Sequence, residues 1–196
     1  PKKDNVVEIK NMSFKYFLSD QYIFKNLDLS LPSNKHIVVT GPNGSGKSTL
    51  LGIIAGALKP KTGKATVMTN NIGYVGVSPY IIPGTLRDNL LYGNKLNKSE
   101  NEIIDLVKEF KLFSSNDTSV LERTIDRKSL SSGQLQKVSF IRALLADSDL
   151  LLLDESTANL DDNSREKIFS ILKNKNLTII NCTHNPYDFE LSLIHI

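Results

Sequence analysis

The residues best suited to chemistry in this 196-residue chain lie in Gly41-Pro-Asn-Gly-Ser-Gly-Lys-Ser-Thr49. Gly41, Gly46, Lys47 and Ser48 have the spacing G-x-x-x-x-G-K-[ST], with a short apolar segment before them and a helical period after. Glycines let successive backbone N–H groups converge on phosphate oxygens, and a following helix N-terminus adds its positive end. A lysine at this place reaches the β and γ phosphates of a triphosphate, and a serine hydroxyl there ligates Mg²⁺. Pro42, Asn43, Gly44, Ser45 and Thr49 complete the loop and belong to the same candidate site.

Leu150-Leu-Leu-Leu-Asp-Glu155 is an apolar segment that ends in two acids. Beside a phosphate loop, Asp154 is a candidate metal carboxylate, directly or through water, and Glu155 a candidate base for an attacking water. Taken alone, the same acids are a solvated turn after a strand. His184 follows a further apolar segment, Thr178–Cys182. The three chemical positions therefore fall at the C-terminal ends of expected parallel strands, where open α/β sheets bind ligands. Leu130-Ser-Ser-Gly-Gln134 reads first as a capping box, because Ser131 and Gln134 have S-x-x-Q spacing ahead of Leu135, Val138, Ile141 and Leu145. It also reads as a second anion-binding helix start, presenting a serine hydroxyl and a glycine N–H together.

Period and punctuation define the elements that must carry these residues. Val6–Ile9 and Ile23–Leu31 read as strands, the second alternating at Leu27, Leu29 and Leu31 before Pro32, and His36–Thr40 as a strand that feeds the loop. From Lys47 the period becomes helical, with Leu50, Leu51, Ile54, Ala57 and Leu58 on one face and Pro60 beyond. Thr85 caps a short helix that Gly93 ends. Ser99 with Glu102 forms a capping box ahead of Ile103, Leu106, Val107 and Phe110. Ser114–Ser119 is a polar break, and the stretch 78–129 reads as a mostly helical lobe. Helix Gln134–Leu145, strand Leu150–Leu153, helix Ser164–Lys173 and strand Thr178–Cys182 follow, and this alternation implies a parallel sheet.

Composition narrows the classes. The 24 Lys+Arg against 21 Asp+Glu leave a formal charge of +3, and 40% of residues are hydrophobic, which excludes a disordered chain. The longest apolar run, Leu50–Leu58, is about half of the ~20 residues that a membrane-spanning helix needs. Apart from Pro1-Lys2-Lys3 the basic residues are scattered among acids, which argues against a dedicated nucleic-acid binder. The single cysteine, Cys182, makes neither an internal disulfide nor a zinc cluster and fits a reducing compartment. No signal or transit peptide is visible, and a chain starting at Pro1 is expected to be a piece of a longer polypeptide.

From roughly Val6 to His184 these motifs, in this order, resemble the ATP-binding cassette family, the nucleotide-binding domain of ABC transporters. The resemblance implies an α/β P-loop NTPase fold with a mostly parallel core sheet, an N-terminal antiparallel β-subdomain and a small helical lobe. It implies one domain, with 1–77 and 130–196 as the ATP-binding core and 78–129 as the lobe. ATP and Mg²⁺ would be its ligands, with Lys47, Glu155 and His184 catalytic and Ser48 and Asp154 on the metal. Leu130-Ser-Ser-Gly-Gln134 resembles the family's signature sequence, with Ser132 where glycine is usual. Ser131, Ser132, Gly133 and Gln134 would then bind the ATP of a partner subunit. Ser156-Thr-Ala-Asn-Leu-Asp161 resembles the D-loop, represented by Asp161, and His184 the switch histidine. Tyr16, in Ser13-Phe-Lys-Tyr, stands where the family stacks an aromatic ring on adenine, with Phe14, Phe17 and Tyr22 as alternatives.

A head-to-tail dimer is also implied, as is a transmembrane partner on the same or another chain, which would hold the domain at the cytoplasmic face of a membrane. No nucleic-acid partner is expected. Gly84-Thr-Leu-Arg-Asp-Asn-Leu-Leu-Tyr-Gly93 resembles the exporter branch. Two features depart from the family. Val77 replaces a glutamine that contacts metal and water, and only twelve residues follow His184. Two other classes stay open: a soluble ABC-type ATPase acting on DNA or ribosomes, and a weakly hydrolysing nucleotide sensor. Against the soluble class, only 81 residues separate Thr49 from Ser131, leaving no room for a long coiled-coil insertion. His195 reads as ordinary surface.

Overall fold

The computed structural model describes residues 4–94, 96–113 and 119–184 and the backbone of 192–195. In chain order the elements are β1 (Asn5–Phe14), β2 (Phe24–Pro32), β3 (His36–Thr40), α1 (Lys47–Ile54), β4 (Thr62–Val67), β5 (Ile72–Val75), β6 (Gly84–Thr85), α2 (Leu86–Leu90) and α3 (Glu100–Glu109). After a 3₁₀ turn at Val120–Glu122 come β7 (Thr124–Ile125), α4 (Ser132–Leu145), β8 (Leu150–Asp154), α5 (Asp162–Lys173), β9 (Thr178–Cys182) and β10 (Ser192–His195). They fall into two compact units, one drawn from 1–74, 149–155 and 176–196, the other from 75–148 and 156–175.

The first unit holds two sheets. An antiparallel three-stranded sheet has the order β2-β1-β4, and a five-stranded sheet the order β10-β3-β9-β8-β5. In the second sheet β3 pairs with β10 and β9, and β9 with β8, all parallel. Leu150–Leu153 are buried throughout, as expected for a strand covered on both faces. Val7, Ile9, Met12 and Phe14 of β1, Leu50, Leu51 and Ile54 of α1, and Leu150, Leu152 and Ile180 of the parallel strands share one apolar core. Between β1 and β4, Gly63 has φ +73°, and a Cβ there would stand 2.1 Å from the Asn11 carbonyl oxygen. Only glycine fits at that irregular position within β4.

Helix α1 is shorter than its apolar period implies. It stops at Ile54, and Gly56 takes φ +76°. The Gly56 N–H donates to Ile53 O and the Ala57 N–H to Gly52 O, closing the helix as a Schellman motif. Ala57 is exposed rather than on the buried face.

Capping chemistry builds the second unit. Thr85 and Asp88, Ser99 and Glu102, and Ser131 and Gln134 each form a reciprocal capping box at the starts of α2, α3 and α4. Helix α2 ends at Leu90, before Gly93. Ile103, Val107 and Phe110 are buried, as their i, i+4, i+7 spacing requires. Asn89, fully buried, accepts from the Ile82 N–H and donates to the carbonyls of Ile82 and Thr85, tying the loop before β6 to α2. The polar break expected at Ser114–Ser119 lies mostly outside the described residues. No helix among the described residues is long and apolar enough to cross a membrane.

Strand β8 lies between β9 and β5 and carries the acidic end of the site, so its packing is the most direct test of the core. Leu152→Ala is expected to lower unfolding free energy by about 2–5 kcal/mol in urea denaturation. A loss too small to shift the urea midpoint would contradict the fully buried environment of Leu152.

Candidate nucleotide-binding site

Strand β3 ends at Thr40, and the chain enters the glycine loop directly. Gly44 and Gly46 have φ +82° and +102°. At Gly46 a side chain is excluded by space as well as by φ, since a Cβ would stand 2.4 Å from Ile23 Cγ2 and 2.8 Å from Phe24 Cζ. Gly46 is the N-cap of α1, so the N–H groups of the first turn have no intrahelical acceptors. The Lys47 side chain is buried and folds over the loop, where Nζ donates to Gly41 O (2.9 Å) and Pro42 O (3.1 Å). Oγ of Ser45 is buried with no hydrogen-bond partner among the described residues.

A cavity of about 320 Å³ adjoins this loop, lined by Tyr16, Asn43, Gly44, Lys47, Ser48, Glu155 and His184 among others. Tyr16 packs edge-on against Phe14, and its hydroxyl lies 2.9 Å from Thr49 Oγ1, so the ring is fixed beside the start of α1. Phe17, an alternative stacking residue, is almost fully exposed. Glu155 follows β8 with φ +49°, a left-handed conformation uncommon for glutamate, and its N–H donates to Cys182 O. Nε2 of His184 lies 3.2 Å from Oε1 of Glu155.

Asp154 is 8% exposed. Ser48 Oγ donates to its Oδ1 at 2.9 Å and Tyr74 Oη to its Oδ2 at 2.8 Å. Among the described residues it makes no ion pair. A buried carboxylate met only by neutral hydroxyls is a donor set that fits a divalent cation, one bound through a single carboxylate together with ligand phosphates. The unpartnered Ser45 hydroxyl and the unpaired amides of α1 likewise fit a phosphate group. Partial burial, reinforced by Asp154, pushes the Tyr74 phenol well above its usual range, so it stays a donor. Burial and then Asp154 push the Cys182 thiol up as well, which leaves it protonated beside Lys47 O.

The other singled-out residues belong to the second unit. Ser131 is the N-cap of α4, its Oγ accepting from the Gln134 N–H while Gln134 Oε1 accepts from the Ser131 N–H. Ser131 and Ser132 are exposed, Gly133 and Gln134 partly so. Asp161 caps α5 by accepting from the Ser164 N–H, a bond that holds its carboxyl below the usual range. Val77 is 46% exposed and offers no donor or acceptor. Tyr74 is the polar contact that the sequence motifs did not indicate. It lies on the short strand β5, three residues before Val77, and 80 residues from its acceptor.

Comparison with known proteins agrees with this geometry. The family model described as ABC transporter matches residues 24–158. The lactococcin-A transport/processing ATP-binding protein LcnC of Lactococcus lactis subsp. lactis is 31% identical over 95% of this chain and 28% of its own length. A probable metal transport system ATP-binding protein of Treponema pallidum is 33% identical over 91% of this chain and 76% of its own. This chain thus spans less than a third of LcnC and about three quarters of the Treponema protein. A bacterial Atm1-family ABC exporter solved with ATP bound superposes with a TM-score of 0.88 at 21% identity, covering 99% of this chain and 37% of the exporter. The match over residues 24–158, with the glycine loop and the acid-ended strand β8 inside it, makes this chain a member of the ABC transporter family, carrying that family's ATPase domain fold.

Proposed function

We propose that this domain binds Mg-ATP in the 41–49 loop and hydrolyses it to drive export of a substrate through a membrane-spanning partner. The observation that carries the reading is convergence: the loop after β3, Asp154 and Glu155 at the end of β8, and His184 after β9 lie at one edge of one parallel sheet. Its transport half is supported by the names of relatives such as LcnC. The partner would dock on the 78–129 lobe beside a core of 1–77 and 130–196, on the cytoplasmic side of the membrane.

In this reading the loop amides and Ser45 hold phosphate oxygens, and the Tyr16 face supports the adenine. Lys47 exchanges two neutral carbonyl acceptors for an anionic phosphate, which adds attraction between opposite charges to the hydrogen bonds its ammonium makes. Bound Mg²⁺ would supply charge neutralisation at the β and γ phosphates, held by Ser48 and Asp154. Glu155 accepts a proton from the attacking water, and His184 Nε2, 3.2 Å away, orients that carboxylate. In a head-to-tail dimer the exposed Ser131 and Ser132 hydroxyls, with the Gly133 and Gln134 amides, face the ATP of the partner subunit, and Asp161 shapes the adjoining turn. Ser131 can cap its helix and still donate, because Oγ accepts from Gln134 while its hydrogen is free to turn outward.

Lys47→Ala is expected to weaken nucleotide binding tenfold or more, the equivalent of at least ~1.5–3 kcal/mol for a charged hydrogen bond. Titration with ATP measures it, and unchanged affinity would remove the phosphate-loop assignment. Glu155→Gln is expected to keep ATP binding and slow hydrolysis by ~10²–10⁴, with ATP-bound dimers accumulating in light scattering. Hydrolysis at the parental rate would move the base elsewhere. Because Val77 has no polar atom, the parent is expected to be a slow ATPase, and Val77→Gln to raise turnover or Mg²⁺ affinity by ~10–100-fold. A brisk parent that this substitution leaves unchanged would rule out an impaired loop.

A further inference from the structure

We propose that the cleft of the second unit between the end of α3, α4 and α5 binds a small phosphorylated polyol, at a site built from none of the residues of the 41–49 loop. The cleft has a volume of about 570 Å³, against about 320 Å³ for the cavity at the loop. Small-molecule sites span roughly 300–1,000 Å³, so a compact ligand fits. Three lysines line the cleft: Lys111 just past α3, Lys137 on α4 and Lys167 on α5. Among the described residues none of the three makes an ion pair. Lys137 Nζ donates to Lys111 O over a long 3.4 Å, and its charge reaches Asp161 at the cap of α5.

The lining selects the chemistry of the ligand. Three cations face one carboxylate, Glu166, so the cleft attracts anions. No arginine lines it. The planar guanidinium fork suits carboxylates, whereas an ammonium acts as a point charge with three donors, which suits the tetrahedral oxygens of a phosphate. Lysines on both sides of the cleft hold such a group from two directions. Asn163, Lys167 and Ser170 stand at i, i+4 and i+7, so one face of α5 presents an amide, an ammonium and a hydroxyl in a row. Asn163 and Ser170 both donate and accept, and Glu166 accepts, which makes them partners for hydroxyl groups. Phe110 and Ile168, otherwise buried, give the apolar edges on which a carbon skeleton rests.

The test is calorimetric titration of the 196-residue chain with fructose bisphosphate, beside fructose and inorganic phosphate. Saturable binding of the sugar phosphate is expected, weakened about 5–10-fold by Lys137→Gln and further when Lys111→Gln and Lys167→Gln are added. Lys47→Ala is expected to bind it as the parent does. A titration without saturable binding would overturn the proposal. So would binding that Lys47→Ala abolishes and Lys137→Gln leaves intact, since the phosphates would then lie in the glycine loop. Fructose bound as tightly as its bisphosphate would leave the lysines no part in recognition and overturn it too. Inorganic phosphate bound as tightly would do the same, because the polyol would then go unrecognised. If a lysine variant has a lowered urea midpoint, amide NMR of the parent decides in its place. Signals of 163–170 must shift on titration, and shifts confined to 41–49 would overturn the assignment.

Discussion

The turn at Gly46 has no room for a side chain, and much of the first unit follows from that. With Ile23 Cγ2 2.4 Å and Phe24 Cζ 2.8 Å from where a Cβ would stand, the loop backbone lies directly on the antiparallel sheet. The left-handed conformation at Gly46 ends the loop and starts α1 in one residue. Leu50, Leu51 and Ile54 then enter the core shared by both sheets, while Ser48 is delivered to Asp154 and Lys47 back over the loop. One backbone torsion thus couples core packing to the direction of the polar side chains. Any residue larger than glycine would have to separate them.

Asp154 is the counterpart on the opposite strand. A buried carboxylate without a cation is costly, and hydroxyl donors offset only part of that cost. Here Ser48 and Tyr74 meet the two oxygens, and the neighbouring Cys182 thiol is pushed towards its neutral form, so it adds no second negative charge. The left-handed Glu155 turns the next carboxylate out of this cluster towards His184. Two adjacent acids therefore occupy different environments, one buried and held by neutral donors, the other facing an imidazole at the cavity wall. A stored backbone cost at such a position is a common feature of functional sites.

The second unit rests on a different device. Three capping boxes start three helices, each satisfying backbone N–H groups that would otherwise be left open. At α4 the residues that do this are also the ones resembling the family's signature sequence. The capping bonds of Ser131 are compatible with the role proposed for it, because a hydroxyl accepts and donates at once.

What the sequence alone determined is what lies within about four residues: the glycine loop, the helix cap at Thr85, the capping boxes at Ser99 and Ser131, and the apolar strands His36–Thr40 and Thr178–Cys182, whose limits match the structure. Caps and periods are short-range signals, so they survive without tertiary context. The end of α1 was also written locally, in Gly56, but the apolar Ala57 and Leu58 continue the helical period past it. Tertiary structure alone decided the strand order β10-β3-β9-β8-β5, the short strands β4, β5 and β10, and the hydrogen bond from Tyr74 to Asp154. These depend on partners 80 or more residues away or on edges with little apolar pattern. A strand of four mixed residues becomes a strand only when a neighbour accepts its hydrogen bonds, and a tyrosine finds its carboxylate only once the sheet has brought the two chain segments together.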